Sequence, residues 1–271
     1  MTRRTLPGFR PTMGATLAWL GLLVLVPLAG LFFTAASLSP AEFWAVISGP
    51  RARAAYRVTF GAALAAALLN GAIGLLLAWV LVRYRFPGRN LVDGLIDLPF
   101  ALPTAVAGLT FATLYGPEGW FGRLLAPLGI ELVHTPGAVV WVLTFVSLPF
   151  VVRTLEPVLA DLGPETEEAA QSLGATRWQT FRYVLFPSVL PALLTGVALA
   201  FARAVGEYGS VIFVSGNIPF RTEIASVLIV NHLEQYRFGA AAAVAVVLLA
   251  ASFLINGVIN LLSRWSRRHE P

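Results

Sequence analysis

Three long stretches of this chain, residues 11–41, 58–82 and 238–263, contain no charged side chain. Each is long enough for a helix to cross the hydrocarbon core of a bilayer, which needs about 20 apolar residues. The chain is also 57% hydrophobic and only 12% charged over 271 residues, about half the charged fraction of an average soluble domain. Lipid must therefore be the solvent for most of this protein.

Six stretches are predicted to form transmembrane helices, so the predicted fold class is an all-α polytopic membrane protein. In order, they cover approximately residues 13–37, 58–82, 91–115, 137–159, 188–214 and 238–263. Abundant small residues in the second and sixth stretches predict close helix packing. Pro99 and Pro103 lie in the third stretch, and each removes a backbone hydrogen bond, which predicts a kinked or broken helix.

The positions of the arginines predict the orientation in the membrane. Arginine supplies all the positive charge, because the chain has no lysine. One side of the predicted bundle holds Arg3, Arg4, Arg10, Arg83, Arg85, Arg89, Arg177, Arg182, Arg264, Arg267 and Arg268. The other side holds Arg51, Arg53, Arg57, Arg123, Arg221 and Arg237. We expect the larger set to be cytoplasmic, which places both termini and the segment 161–187 on the cytoplasmic side of the membrane.

The first apolar stretch is about twice as long as the core of a cleaved signal peptide. We therefore expect it to persist as a signal-anchor span, with cleavage near the sequence Thr34-Ala35-Ala36 as the alternative. Since the arginines cluster at the ends of spans, the net charge of +5 is interpreted as membrane orientation rather than nucleic-acid binding.

The segment 161–187 is a long polar segment between apolar spans, and its first half is predicted to be a short helix. Pro164 suits the first helical position, and Glu165, Glu167 and Glu168 suit the positive end of the helix dipole. Gly174 is placed to end the helix in a left-handed conformation.

A second short helix is predicted after Gly174. Thr176 precedes Gln179 by three positions, which is a capping-box pattern. Trp178, Phe181 and Leu185 are expected to share one face, and Pro187 is expected to end this helix before the fifth span. The predicted helix–turn–helix either docks onto a soluble partner or only packs beneath the bundle.

Several polar residues fall within predicted spans, where charge is costly and usually faces a partner or a cavity. Arg203 and Glu207 are four positions apart, so they are expected on one face of the fifth helix, either lining a pathway or fixing an interface as an ion pair. Arg153 and Glu156 are expected to reach the lipid headgroups. The candidate pathway residues are Pro99, Pro103, Thr104, Gly108, Arg203, Glu207 and Ser210.

No catalytic, cofactor-binding or metal-binding residues are predicted. The chain has no cysteine, and His134, His232 and His269 are scattered without metal-ligand spacing and are expected at the surface. A phosphate-binding loop of the Gly-x-x-x-x-Gly-Lys type is impossible without lysine. This chain is therefore not expected to hydrolyse ATP, so energy must come from another subunit or from an ion gradient.

The order Glu168-Ala169-Ala170, then Gly174, then Pro187 resembles the EAA loop of permease subunits in ATP-binding-cassette (ABC) importers, a binding-protein-dependent transport family. Val184 and Phe186 replace the isoleucine and leucine of that pattern. Residues 84–115, 148–181 and 201–226 resemble sulfate/thiosulfate permeases of the CysT (CysU) type. Molybdate and tungstate permeases share the pattern at 203–209, so that stretch alone does not select the anion.

This resemblance implies a type I ABC importer permease (MetI/ModB-like) fold with six transmembrane helices and cytoplasmic coupling helices. It implies a permease domain at 56–263 containing the EAA loop, preceded by a tail, first span and outer loop at 1–55 and followed by a tail at 264–271. The coupling residues it implies are Glu167, Glu168, Ala169, Ala170, Leu173, Gly174, Trp178, Phe181 and Pro187.

The implied partners are an ABC ATPase dimer that binds ATP and Mg, a second homologous permease forming a heterodimer, and a periplasmic sulfate/thiosulfate-binding protein. Membrane lipid and sulfate itself complete the expected contacts. The alternatives are a molybdate/tungstate ABC permease, an ion-gradient-driven secondary anion transporter and, least favoured, a membrane-embedded enzyme.

Overall fold

The computed structural model describes residues 8–267, and in this part of the chain every regular element is helical. The α-helices are, in chain order, α1 (Phe9–Leu20), α2 (Val26–Ala35), α3 (Pro40–Ser48), α4 (Pro50–Arg83), α5 (Arg89–Ile96), α6 (Leu98–Ala101), α7 (Thr104–Tyr115), α8 (Trp120–Leu125), α9 (Pro136–Asp161), α10 (Pro164–Ser172), α11 (Arg177–Thr180), α12 (Phe186–Val205), α13 (Val211–Val214), α14 (Ala225–Glu234) and α15 (Phe238–Arg267). Wide π-helical turns at Gly21–Leu25 and Phe181–Leu185 join α1 to α2 and α11 to α12. The all-α prediction is confirmed.

Five continuous helices in the described residues are long and apolar enough to cross a membrane. They are Pro11–Ala35, Pro50–Arg83, Pro136–Asp161, Arg177–Val205 and Phe238–Gly257. These correspond to five of the six predicted spans.

The remaining predicted span, the third, is broken into α5, α6 and α7. Leu102 and Pro103 are extended, with ψ values of 134° and 132°. Proline cannot donate a backbone hydrogen bond and disfavours helical geometry in the residue before it. The predicted break is therefore confirmed, and it leaves a short non-helical link in the middle of the segment.

The core of the bundle is the contact of α4 with α9 and α12. The buried stripe of α4 consists mainly of small residues, namely Ala62, Ala63, Ala66, Ala67, Asn70, Gly71, Gly74 and Ala78. A Cβ atom at Gly74 would lie 2.8 Å from Cγ1 of Val151, so glycine is needed for α9 to approach this closely. Asn70 adds a polar contact by donating to the carbonyl oxygen of Thr144 at 3.0 Å and to Oγ of Ser147 at 2.9 Å.

The two ends of the bundle are chemically different. The hairpin of α10 and α11 lies where α4 and α9 end, and we call this the hairpin end; the other is the loop end. At the loop end, Arg51 donates two hydrogen bonds of 2.8 and 2.6 Å to the buried carboxylate of Glu223. Asn231 donates a third, at 2.8 Å.

The expectation that Pro187 ends the second hairpin helix is wrong, because one helix runs from Arg177 to Val205. The π-helical turn at Phe181–Leu185 directly precedes the proline, and the N–H of Phe186 already reaches back five residues to Phe181. The regular helical hydrogen-bond pattern is therefore already interrupted just before Pro187, which has no backbone N–H to donate.

The expected fifth span also ends earlier than predicted. The helix stops at Val205, with Gly206 at its C-cap. Residues that follow form a turn and the short helix α13 instead of continuing to residue 214.

Candidate functional site

The first helix of the hairpin, α10, forms as its sequence predicts. Pro164 occupies the first turn with Glu165 and Glu167. Gly174 has a φ of 84°, a left-handed conformation that favours glycine, and the N–H of Ala175 closes the turn on the carbonyl of Ala170 at 3.1 Å. No residue of α10 is fully buried, and one side of the helix, which includes Glu165, Glu168 and Ala169, is exposed.

The second helix, α11, begins with the predicted capping box. The N–H of Gln179 donates to Oγ1 of Thr176 at 3.3 Å, and the N–H of Thr176 donates to Oε1 of Gln179 at 2.8 Å. Trp178 stacks on Phe181 with ring centroids 5.7 Å apart and remains 65% exposed, whereas Leu185 is buried in the bundle. The residues expected to share one face are therefore divided, with Trp178 in solvent and Leu185 in the core.

The exposed surface of the hairpin combines carboxylates with large apolar groups. Glu168 and Ala169 are exposed on α10. Leu173 is 89% exposed at the tip, beside Gly174. A leucine exposed on a capped turn buries almost no apolar surface within this chain. Exposed apolar surface beside carboxylates is typical of a contact site for another protein.

A single arginine at the end of α4 contacts the base of the hairpin. Arg83 donates to the carbonyl oxygen of Leu162 at 2.7 Å and pairs with the carboxylate of Glu167 at 3.1 Å. Its guanidinium lies 5.5 Å from the ring centroid of Trp79. Trp79 in turn meets Phe181 edge-on, with centroids 5.8 Å apart.

The second candidate region, the predicted pathway, centres on a buried carboxylate. Glu207 is 2% exposed and pairs with Arg203 at 2.6 Å. The two residues do not lie on one helical face as expected, because the helix ends at Val205 and Glu207 follows the terminal Gly206. Glu207 also accepts hydrogen bonds of 2.9 Å from the N–H and from Oγ of Ser210.

Two glycines allow the broken third span to approach the turn that carries Glu207. A Cβ atom at Gly108 would lie 2.3 Å from the carbonyl oxygen of Ser210, and one at Gly209 would lie 2.3 Å from Oγ1 of Thr104. The start of α7 therefore contacts the turn that carries Glu207 backbone to backbone.

The structure thus brings together five of the predicted pathway residues: Thr104, Gly108, Arg203, Glu207 and Ser210. Pro99 and Pro103 do not join them. Pro99 is buried within α6, and Pro103 is exposed at the break. The two prolines shape the segment on which Thr104 and Gly108 lie.

The expectation that Arg153 and Glu156 reach the lipid headgroups is wrong for Arg153, whose guanidinium is fully engaged within the protein. It donates to both carboxylate oxygens of Asp97, at 2.9 and 2.6 Å, and to the carboxylate and carbonyl of Asp93, at 2.7 and 3.1 Å. A fifth hydrogen bond, of 2.6 Å, goes to Glu156. Asp93 on α5 and Asp97 just after it therefore engage this arginine through charge-assisted hydrogen bonds within the chain.

Comparison with protein families identifies the chain. The model of the family described as "Binding-protein-dependent transport system inner membrane component" matches residues 70–268. The chain belongs to this family. The matched interval includes the hairpin, the broken third span and the Arg203–Glu207 pair.

Relatives within the family align over nearly the whole chain. The chain is 51% identical over 268 residues to the sulfate transport system permease protein CysT of Escherichia coli, covering 98% of this chain and 97% of that protein. It is 52% identical over 254 residues to the protein of the same description from Synechocystis, covering 94% and 89%.

Solved structures agree on the fold. A bacterial ABC transporter that imports the polysaccharide alginate contains a chain that superposes with a TM-score of 0.79 at 18% identity, with 94% of both chains covered. The inward-facing MetNI methionine ABC transporter matches with a TM-score of 0.56 at 20% identity, over 84% of this chain and 99% of that one. The family member described here therefore has the type I ABC importer permease fold.

Sequence reasoning missed the ion pairs that join distant segments. Arg83–Glu167, Arg153–Asp97 and Arg51–Glu223 each connect residues far apart in the chain. Charged residues inside or beside apolar stretches were the available signal, because such residues need partners, but their positions do not say which partner they choose.

The histidines are only partly as expected. His134 is exposed. His232 is half-buried on α14, and its buried Nδ1 has no hydrogen-bond partner among the described residues. His269 lies outside the described residues.

Proposed function

We propose that this chain is the membrane-spanning subunit of an ATP-driven ABC importer that translocates sulfate or thiosulfate. The observation that carries the proposal is the capped hairpin, which presents Glu168 and Leu173 outward at the end of a bundle that belongs to a transport family. In this proposal the hairpin inserts into a separate ATPase, which supplies the ATP and Mg chemistry that this chain lacks.

The choice of anion rests on the relatives. Proteins that are about half identical over nearly the full length are described as sulfate transport permeases. No anion-binding site in the described residues distinguishes sulfate from molybdate or tungstate independently of these relatives. Molybdate and tungstate are therefore the competing substrates in the test below.

The proposed orientation places the hairpin end in the cytoplasm. Arg83, Arg85, Arg89, Arg177 and Arg182 all lie in or beside the segments at this end. Together with the six arginines near the termini that the sequence assigns to the same side, they outnumber the six assigned to the loop end, so the positive-inside rule favours this direction. With an even number of membrane crossings, both termini are then cytoplasmic, and the loop end faces the periplasm.

The proposed pathway passes the cluster of Arg203, Glu207, Ser210, Thr104 and Gly108. Arg203 keeps about a third of its side chain exposed, while its partner Glu207 is buried. Because Glu207 compensates part of the charge of Arg203, we expect this site to attract a divalent anion and still release it. An uncompensated positive charge in a low-dielectric site would bind the anion too tightly.

The proposed partners are an ABC ATPase dimer, a second homologous permease that forms a heterodimeric pore, and a periplasmic binding protein. The alginate transporter has been solved in complex with a substrate-bound periplasmic protein, which supports the last of these by similarity of fold. The second permease would meet the apolar faces that this chain leaves open in the membrane.

Co-purification tests the hairpin claim. Deletion of residues 167–174, and separately Leu173→Asp, should abolish recovery of the ATPase with the membrane subunits while the permease remains in the membrane. Leu128→Asp is the matched control, since Leu128 is also exposed but belongs to the short 3-10 helix Ala126–Leu128 at the loop end. Undiminished ATPase recovery with Leu173→Asp and with the deletion would contradict the proposal.

Competition tests the anion. In cells that carry only this importer, we expect uptake of labelled sulfate to be inhibited by thiosulfate and spared by molybdate at equal concentration. Uptake abolished by molybdate and spared by thiosulfate would reassign the substrate to the molybdate/tungstate class.

A further inference from the structure

The hairpin has covalent connections to two of the three core helices but not to the third. Helix α9 ends at Asp161 and leads directly into α10, and α11 continues through the π-helical turn into α12. A movement of the hairpin is therefore passed to α9 and α12 through the backbone. Helix α4, which packs against both of them along the core, has no such backbone link.

Side chains at the last turns of α4 connect this helix directly to the hairpin. Arg83 is the final residue of the helix, and its guanidinium bridges the end of α9, through the carbonyl of Leu162, to the first turn of α10, through Glu167. Both partners of the ion pair are largely shielded, with side chains 16% and 29% exposed. An ion pair shielded to this degree is screened less by solvent than a surface pair, and the hydrogen bond to the Leu162 carbonyl holds the same guanidinium in place.

The end of α4 also contacts the segment after α11, through Trp79. The guanidinium of Arg83 lies against Trp79 one turn earlier on α4, and Trp79 packs edge-on against Phe181, on which Trp178 stacks. The end of α4 thus contacts α10 through charge and the α11 segment through aromatic rings. Nε of Arg83 is buried and has no hydrogen-bond partner among the described residues, so the guanidinium is held here despite an unsatisfied donor.

We propose that Arg83 is a positioning residue that makes α4 move with the hairpin when the ATPase closes. The inference rests on the proposed function of the hairpin as the ATPase contact. Without Arg83, the ATPase would still bind the exposed hairpin surface and move α9 and α12, but α4 would lag behind. The hydrolysis of ATP would then be poorly converted into transport.

The experiment measures sulfate transported per ATP hydrolysed in proteoliposomes that contain the full importer, with the binding protein present. Arg83→Gln should lower this ratio by about tenfold, which corresponds to ~1.4 kcal/mol of lost coupling, while ATPase recovery stays as in the unmodified complex. Arg83→Lys keeps the charge and should recover most of the ratio. Arg85→Gln is the matched control, because Arg85 is exposed two residues further on, and it should leave the ratio unchanged.

A double variant tests whether Arg83 acts through Glu167, and the yield of assembled complex separates this role from a merely structural one. Because Glu167 is the charged partner, Glu167→Gln combined with Arg83→Gln should lower the ratio no further than Arg83→Gln alone. An unchanged ratio in Arg83→Gln, or a loss confined to the yield of assembled complex, would overturn the inference. If the unmodified chain fails to bind the ATPase, the proposed function fails instead, so the two failures are distinguishable.

Discussion

The guanidinium of Arg153 on α9 donates two hydrogen bonds to the carboxylate of Asp97, one from Nε at 2.9 Å and one from a terminal nitrogen at 2.6 Å. Asp97 lies between α5 and α6, just before the break in the third span. This pair ties the first half of the broken span to α9, while the second half, α7, packs against α13. Leu102 and Pro103 link the two halves, and α7 also contacts α9 through Phe111 and Phe145.

The first prediction concerns the strength of this tie. Arg153→Gln removes five hydrogen bonds and leaves Asp93, Asp97 and Glu156 facing one another, so we expect it to destabilise the purified protein by about 2–3 kcal/mol. Asp97→Asn removes one charge but keeps an acceptor and should cost about 1 kcal/mol. Thermal unfolding in detergent, followed by helical circular dichroism, measures both.

The exposed pair Arg123–Glu118, with a distance of 3.1 Å, is the control for this prediction. Arg123→Gln should change stability by less than about 0.5 kcal/mol, because ion pairs in water contribute little. Equal effects of Arg153→Gln and Arg123→Gln would show that the internal network does not hold the broken span.

A second prediction concerns the backbone contact between α7 and the turn that carries Glu207. Gly108→Ala places a Cβ atom 2.3 Å from the carbonyl oxygen of Ser210, so either α7 or the turn must move. We expect a cost of about 1–3 kcal/mol, as for other overpacked sites, together with reduced sulfate uptake.

The matched control for this substitution is Gly94→Ala in the first half of the same span. A Cβ atom at Gly94 meets nothing within 4 Å, and alanine is the better helix former by about 1 kcal/mol. It should therefore leave stability unchanged or slightly higher. Unaltered stability and uptake in Gly108→Ala would mean that the close approach of α7 is not required.

The third prediction is a loss of stability at mildly acidic pH through His232. Burial lowers the pKa of His232 below its ordinary value of 6.5, and the positive charges of Arg237 and Arg51 lower it further, against the opposing charge of Glu223. The unfolded chain consequently binds this proton at a higher pH than the folded chain. Folding is penalised increasingly as the pH falls below 6.5 until the folded pKa is reached, and it is not penalised above 6.5.

Thermal midpoints measured between about pH 7.5 and 5 test this prediction. The unmodified protein should lose stability as the pH falls, and His232→Gln should lose less over the same range. His134→Gln is the control, because His134 is exposed at the loop end, and it should follow the unmodified protein. Identical pH profiles for His232→Gln and the unmodified protein would show that His232 does not cause the loss of stability.

Local features of the site were predictable from the sequence, because they depend on neighbours within a few residues. The left-handed Gly174 and the Thr176–Gln179 capping box formed as expected. The break near Pro103 did as well, since proline acts on its own backbone.

The predictions that were wrong concern features that depend on contacts between distant segments or on the local helix geometry around a proline. Pro187 was expected to end a helix, but the preceding π-helical turn accommodates it. Arg153 was assigned to the headgroups because its partners, Asp93 and Asp97, lie 60 and 56 positions away. Sequence periodicity describes one helix at a time and does not say which helices meet.

The most direct test of the central claim is labelled sulfate accumulation by proteoliposomes that contain this chain with its second permease, the ATPase and the binding protein. The account predicts uptake that requires ATP on the hairpin side, stops when the ATPase or the binding protein is omitted, and continues after ionophores have dissipated all ion gradients. Uptake that persists without the ATPase and collapses with the ion gradients would contradict it and assign the chain to the secondary transporters.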